Sequence, residues 1–359
     1  MMAVSPEVLA VFRLRVENAS CISSHLTWGF PSPTAFVGFG HALERRLHAQ
    51  GYALNVVGVG VVCHQFSPQV EPAGYNTLQL SLARHPLESD GSSPALVEEG
   101  KAHLDISVVL GLSGAAVQAV WPSQQQVSPD TQAFLNQVYA HMLHMRLAGG
   151  SVFAHPARPV MLAWQNEDPQ QQSRKLYRRL LPAFALLDRS ELLSTHQTWL
   201  AQHPPFVAEH GDTPPTRLDS LLDLVRLNLG SSTPDHSTDT EPETADSATD
   251  MTTPAVRWHV RPRPAHQTGW LVPVPLGYGA LTELQSAGSV EGARDADSPV
   301  AFVESLLGIG EWVSPHRITN LAALLWAYHP DTTDGVYRVY QPFSSAGMAD
   351  AYLQYTNDM

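Results

Sequence analysis

Residues 9–16, LAVFRLRV, alternate: Phe12, Leu14 and Val16 fall on one side and Val11, Arg13 and Arg15 on the other, the pattern of a strand with one buried face. The apolar period then changes. From Ser32, with Pro33 at a first helical position, Phe36, Phe39 (or Gly40), Leu43 and Leu47 recur at helical spacing. Gly38 and Gly40 each cost such a helix ~1 kcal/mol relative to alanine, so their small size predicts close approach to a sheet. LNVVGVGVVCHQF (54–66) is a β-branched run expected to form a buried strand. TLQLSLAR (77–84) and HLDISVVLGL (103–112) predict two further strands, separated by the loop-like SDGSSPALVEEGK. A second amphipathic helix is predicted over 130–147, with Phe134, Val138, Met142 (or His141) and Met145 on one face and Gly149-Gly150 as its stop. PVMLAW (159–164) follows as a strand. Strand, helix, two or more strands, helix, strand is the order of an α+β fold built on a ferredoxin-like βαββαβ unit. Residues 172–229 predict helix, and 256–359 predict strands (GWLVPVPLGYGAL, GVYRVYQPF) around a helix near 299–307.

With 359 residues, 43% of them hydrophobic and 15% charged, the chain is long enough for a substantial core. The expected organisation is a core over 1–229 carrying a helical insertion, an acidic linker or insert at 230–254, and strands and helices over 255–359 packing back on the core. The stretch 230–254 holds six carboxylates and no Lys or Arg, and its Ser, Thr and Pro content cannot bury enough apolar surface to order it. Without these six the formal charge of −13 becomes −7. Twelve of the 21 basic residues cluster at Arg13/Arg15, Arg45/Arg46, Arg158, Arg174/Lys175/Arg178/Arg179 and Arg257/Arg261/Arg263. Because screening limits the reach of distant charges to ~8–10 Å, a basic stripe on an acidic protein still binds phosphate. Glu7 and Arg13 interrupt the N-terminus too early for a secretory leader, and no run approaches the ~20 apolar residues of a membrane span. Cys21 and Cys63 alone form neither a disulfide framework nor a zinc motif, so a cytoplasmic protein without membrane contact is expected.

Several segments carry candidate chemistry. Arg13 and Arg15 either solvate an open sheet face or present guanidiniums to phosphates. In ENASCISS, Asn18, Ser20, Ser23 and Ser24 suit hydrogen bonding to splayed bases and 2′-hydroxyls, or an ordinary turn. Trp28, beside Gly29-Phe30-Pro31, is a core anchor at a strand-to-helix turn or a base-stacking platform worth roughly 1–3 kcal/mol. RKLYRR places Arg174 and Arg178 at i,i+4 with Lys175 and Arg179 one residue round, either a phosphate-binding face or a solvated one. RWHVRPRP joins Arg257, Arg261 and Arg263 to Trp258 and His259, and its prolines favour an extended segment. Gly149-Gly150 stops a helix or lets the backbone approach RNA closely. Seventeen histidines, His141 and His144 among them, show no metal-binding spacing, and no nucleophile elbow, phosphate loop or carboxylate dyad is present. No catalytic residue, metal or cofactor is expected.

RLRVENASCISSHLTWGFPSPTAFVGFGHALERRL (13–47) strongly resembles the opening of the second subunit of type I-F CRISPR surveillance (Csy) complexes. MRLAGGSV (145–152), FVESLLGIGEWVSPHRI (302–318) and LLWAYH (324–329) resemble later motifs of that family. The acidic stretch resembles an insertion. The resemblance implies a RAMP-superfamily fold, ferredoxin-like (RRM-like), and a non-catalytic subunit. It implies that this subunit pairs with the large subunit and holds the 5′ repeat-derived handle of the crRNA beside the first backbone subunit of the filament. Target double-stranded DNA would be met through the assembled complex and read by guide pairing. Arg13, Arg15, Asn18, Ser20 and Ser23 are carried from the leading motif as first-rank contacts; Arg158 and the 174–179 and 257–263 clusters rest on charge alone. Two alternatives remain. One is a crRNA-processing endoribonuclease using His25, beside Ser23 and Ser24, as general acid or base. The other is a scaffold whose basic clusters grip acidic protein partners.

Overall fold

The alternation beginning at residue 9 builds strand β1 (Val8–Ser20), the spine of a large antiparallel sheet in a mixed α+β protein. The computed structural model describes residues 5–343 except 76, 85–86, 88–89, 94–95, 122–127, 164–176, 233–255, 294, 319–320 and 329–334. The chain falls into two compact units, one of residues 1–191 with 272–359 and one of residues 192–271.

In the first unit, β1 is followed by α1 (Pro33–Ala49), β2 (Asn55–Pro68), β3 (Lys101–Ser113), α2 (Pro129–Leu143), β4 (Gly150–Ala154) and β5 (Val160–Ala163). Strand order is β4-β1-β3-β2, and every neighbouring pair is antiparallel. β5 shares an edge of β1 with β4, pairing Val8–Val11 where β4 pairs Leu14–Glu17. Between them Tyr139 of α2 satisfies both backbone groups left by the gap: its hydroxyl donates to the Arg13 carbonyl at 2.9 Å and accepts from the His155 N–H at 2.8 Å. TLQLSLAR lies outside the large sheet, as halves of two small ribbons that pair Thr77–Leu80 with Val70–Gly74 and Leu82–Arg84 with Leu96–Glu98.

Both helices form where the sequence predicts them. Ser32 caps α1, accepting from the Thr34 N–H at 3.1 Å, and Pro33 sits in the first turn. Phe36, Phe39, Leu43 and Leu47 of α1, with Phe134, Val138 and Met142 of α2, bury Phe12, Leu14 and Val16 of β1. Only Gly40 is used for close approach: a Cβ there would lie 2.6 Å from Val59 Cγ2, whereas one on Gly38 meets open space. The predicted stop of α2 is corrected. The helix ends at Leu143, and Arg146–Leu147 already pairs with β4 across a two-residue loop in which Ala148 (φ 49°) and Gly149 (φ 76°) both take the positive φ of a type I′ turn.

The sheet continues through β6 (Phe184–Asp188), β7 (Trp270–Ala280), β8 (Val303–Val313), β9 (Leu325–Tyr328) and β10 (Val336–Tyr340) in the order β2-β6-β8-β7-β10-β9. β9 then pairs back onto β2, so six strands close a circuit. Two expectations fail here. The helix expected near 299–307 is irregular chain and strand: Val300 exchanges backbone hydrogen bonds with Gln285, the Phe302 carbonyl accepts from the Leu281 N–H, and β8 begins at Val303, with Gly308 and Gly310 making room for Leu276 and Leu186. The helical reading of 172–229 misses β6, which is held between β2 and β8.

The second unit has helices Leu192–Leu200, Pro204–His210 and Arg217–Val225, the last started by a reciprocal Thr216–Asp219 capping box. Leu229–Ser232 pairs antiparallel with Arg257–Val260. Residues 230–232 of the acidic stretch are therefore strand, and 233–254 lie outside the described residues. No described helix is long and apolar enough to cross a membrane.

The two helix glycines make a paired prediction. Gly38→Ala should stabilise by up to about 1 kcal/mol through helix propensity. Gly40→Ala should destabilise by about 1 kcal/mol net, since overpacking against the stiff Val59 side chain exceeds the same propensity gain. Urea melts of both variants give the two signs; equal shifts would refute the close-approach account.

Candidate nucleic-acid interface

β1 changes character along its length. Its odd-numbered residues Leu9 and Val11 are buried on the face away from the helices, under Leu180, Ala185, Leu187 and Leu324. At Arg13 that cover ends. Arg13 is half-buried, and Arg15 and Glu17 are exposed.

Arg13 is not free. Its Nε and Nη2 donate to Asp105 Oδ1 and Oδ2 at 2.9 and 2.8 Å, a bidentate pair across 92 residues of sequence. Burial alone would raise the Asp105 carboxyl. The hydrogen bonds and charge of Arg13 outweigh it and hold the group below the ordinary aspartate range. Burial pushes His64 and His155 down, and the same guanidinium adds to it. His64 bridges the Pro182 carbonyl (3.0 Å from Nδ1) and the Ser107 hydroxyl (2.8 Å from Nε2), which fits a neutral ring donating from Nδ1.

Arg15 is different. It has no side-chain hydrogen bond or ion pair among the described residues, and the register sets it opposite Phe153 on β4 and Asp105 on β3. Phe153 is 41% exposed, so a free arginine and an aromatic ring lie side by side on the uncovered face. Two positions further along, β1 carries a bulge between Val16 and Ala19, with Asn18 at φ 58°. Asn18 accepts from the Gln69 amide at 2.6 Å, and Gln69 in turn meets His103 Nε2 at 3.0 Å.

The bulge is where the glycine-bearing hairpin docks. A Cβ on Gly150 would lie 2.7 Å from the Glu17 carbonyl oxygen and 2.8 Å from the Ala19 nitrogen, and the Ser20 N–H donates to the Ala148 carbonyl at 2.8 Å. The close approach that Gly150 permits is thus to β1 itself, while Gly149 is exposed at the turn. The serines serve the adjoining hairpin of Ile22–Ser24 with Thr27–Trp28. Ser20 Oγ donates to the Ile22 carbonyl (3.3 Å), Ser23 Oγ accepts from the Ser32 N–H (3.2 Å), and Ser24 Oγ bonds Thr27 Oγ1 (2.7 Å). Trp28 is 62% exposed, which overturns its reading as a core anchor. Phe30 holds that place, stacked on Phe36 at 5.6 Å and edge-on to Trp312 at 4.9 Å.

Arg158 is exposed, as is Arg178 on the helical turn 177–180; Arg174 and Lys175 lie outside the described residues. Arg257 is exposed on a strand of the second unit, and Arg261 and Arg263 flank Pro262 just beyond it. Sequence reading missed Phe153, His103 and Gln69. Alternation carried the signal for the first two, since Val152 and Leu104 are buried and their neighbours must face the other way. Both cysteines are free, with Cys63 pushed up to about 12 by burial and by Asp105. Among the described residues no group of three or more His, Cys, Asp or Glu could hold a metal ion.

Residues 9–339 match the family CRISPR-associated protein (Cas_Csy2). The chain is also 42% identical over 354 residues to the CRISPR-associated protein Csy2 of Pseudomonas aeruginosa (strain UCBPP-PA14), covering 95% of this chain and 98% of that protein. The chain belongs to the Csy2 family of CRISPR-associated proteins. Its resemblance to the second subunit of type I-F Csy complexes is thereby confirmed. Two of the motifs that carry the resemblance, 13–47 and 145–152, meet at the β1 bulge.

The Arg13–Asp105 pair predicts an acid limb in stability. Unpaired aspartate titrates near ~3.9, and folded Asp105 titrates lower. The stabilisation is complete above about pH 4 and is lost as pH falls through the folded-state value. Arg13→Ala should cost about 1–2 kcal/mol at pH 7 and less at pH 3, which lies below the unfolded-state aspartate value. Urea melts at the two pH values measure this, and an equal cost at both would discard the pair as its source.

Proposed function

We propose that the chain is a non-catalytic crRNA-binding subunit of a type I-F interference complex, gripping the 5′ repeat-derived handle together with the large subunit. The carrying observation is the uncovered end of β1, where exposed Arg15 lies beside exposed Phe153 next to the bulge and the docked hairpin. A guanidinium for a phosphate and an adjacent ring for a base suit an unpaired RNA end. The strand order β4-β1-β3-β2, with α1 and α2 over one face, supports reading this half of the chain as the ferredoxin-like, RRM-like core of the RAMP superfamily.

In this reading Arg15 contacts RNA, whereas Arg13 positions: it is spent on Asp105 and fixes the strand face. Asn18 and the Ala148-Gly149 turn shape the edge of the groove, and Trp28 offers a second stacking surface. Arg158 and Arg178 add positive charge in the first unit, and Arg257 adds it separately in the second. The first backbone subunit and target DNA are met through the assembled complex, in a reducing cytoplasm that keeps Cys21 and Cys63 as thiols. The non-catalytic reading is supported at His25. Of the hydroxyls beside it, Ser24 bonds Thr27 within the hairpin and Ser23 accepts from the Ser32 N–H, and His25 has no hydrogen-bond partner among the described residues. General acid–base catalysis needs a positioned group.

Co-expression with the large subunit and a crRNA tests the proposal. Wild type should bring down a discrete RNA of guide length. Arg15→Ala/Phe153→Ala should weaken RNA binding by roughly tenfold or more and lower the salt slope by about 1. Undiminished recovery by that variant would remove the strand face as the grip. Purified chain should leave repeat RNA intact, and cleavage abolished by His25→Ala would replace the proposal with the endoribonuclease reading.

A further inference from the structure

The second unit contains a cavity of about 430 Å³, lined entirely by residues between Trp199 and Gln267. Its walls carry Arg226, Arg261 and Arg263, the rings of His203 and His259, and a single carboxylate, Asp223. That carboxylate is fully committed. Its Oδ2 bonds His196 Nε2 at 2.8 Å and its Oδ1 bonds Arg226 Nη2 at 2.9 Å, while His196 is buried and bonds His266 at 2.8 Å on its far side. Those bonds hold Asp223 ionised, below the ordinary aspartate range despite its burial, so it offsets Arg226 and no more.

Arg261 and Arg263 are left over. Both line the cavity, and neither has a carboxylate partner among the described residues; Arg263 reaches only the Gly269 carbonyl, at 3.4 Å. A protein of formal charge −13 has carboxylates in excess, yet sets around one cavity two guanidiniums with no acidic partner among the described residues, together with two imidazoles. The space is kept by a glycine: a Cβ on Gly230 would stand 3.0 Å from His259 Nε2 and 3.3 Å from Arg261 Cγ. The volume exceeds that of a lone phosphate and lies within the ~300–1,000 Å³ typical of small-ligand sites.

We propose that this cavity is a phosphate-binding site that seats one nucleotide unit, with its phosphate on Arg261 and Arg263. The phosphate chemistry rests on the cavity itself. Its source, a nucleic-acid strand, rests on the RNA-binding function proposed above.

The test uses the full-length chain with two probes, inorganic pyrophosphate followed by calorimetry and a fluorescein-labelled single-stranded RNA octamer followed by anisotropy. Wild type should bind pyrophosphate, and Arg261→Ala/Arg263→Ala should weaken it by roughly tenfold or more, as expected when charge-assisted hydrogen bonds are lost. Gly230→Leu retains every charge and fills the space; with an unchanged melting temperature it should also lose pyrophosphate. Arg15→Ala/Phe153→Ala should bind pyrophosphate as wild type does, which separates this site from the strand face. Wild-type affinity in both pocket variants overturns the proposal. A strand as source is established if pyrophosphate competes with the octamer and the pocket variants lose it. Octamer binding that is unaffected while pyrophosphate binding is lost assigns a free polyphosphate or nucleotide instead.

Discussion

The first unit depends on one strand being buried on two faces for part of its length and on one face for the rest. Val8 to Phe12 lie between the helices and the C-terminal strands; Arg13 to Glu17 keep the helices and lose the other cover. The pleat makes this possible, since each face can change composition independently of its partner. The apolar side, Phe12-Leu14-Val16, fixes register against β3 and β4, because a slip of one residue would drive Arg13 and Arg15 into the core. Where the second cover stops, polar side chains become affordable, and the surface proposed to meet RNA begins there.

The arginines divide the work on that surface. Arg13 is partly screened from water, and burying its charge is tolerable only with Asp105 in a two-pronged contact. Arg15 is exposed, and its charge remains available to a phosphate. The bound arginine also sets the local field: it keeps Asp105 ionised and adds to the burial that disfavours protonation of His64 and His155. The second unit repeats this logic in the partly buried trio of Asp223, His196 and Arg226, again beside arginines that have no acidic partner among the described residues.

What the sequence made legible follows from the range of the forces involved. β1, α1 and α2 are set by local periodicity and caps, and Ser32, Pro33 and the Phe36 to Leu47 stripe announce α1 almost residue by residue. Arg13 and Arg15 look alike because the discriminator, Asp105, lies 92 residues from Arg13. Trp28 and Phe30 flank Gly29, whose φ of 132° reorients the chain between them, so spacing alone cannot tell which aromatic faces inward. The helix expected near 299–307 fails for a similar reason. Gly308 and Gly310 make room for side chains of β6 and β7, and apolar runs with such glycines have no helical or extended signature of their own.

The closed circuit of strands has a consequence for how the chain is made. The outer edge of β2 is completed partly by β6 and partly by Leu325 and Trp326, which cross it closely because Gly58 and Gly60 lack side chains. Those residues follow the end of β2 by more than 250 positions, so they leave the ribosome long after it. Until then an apolar edge, Val59 to Val62, stands open, a surface of the kind that invites pairing with other chains. Closure of the native sheet therefore waits on strands that are made last among those that border β2.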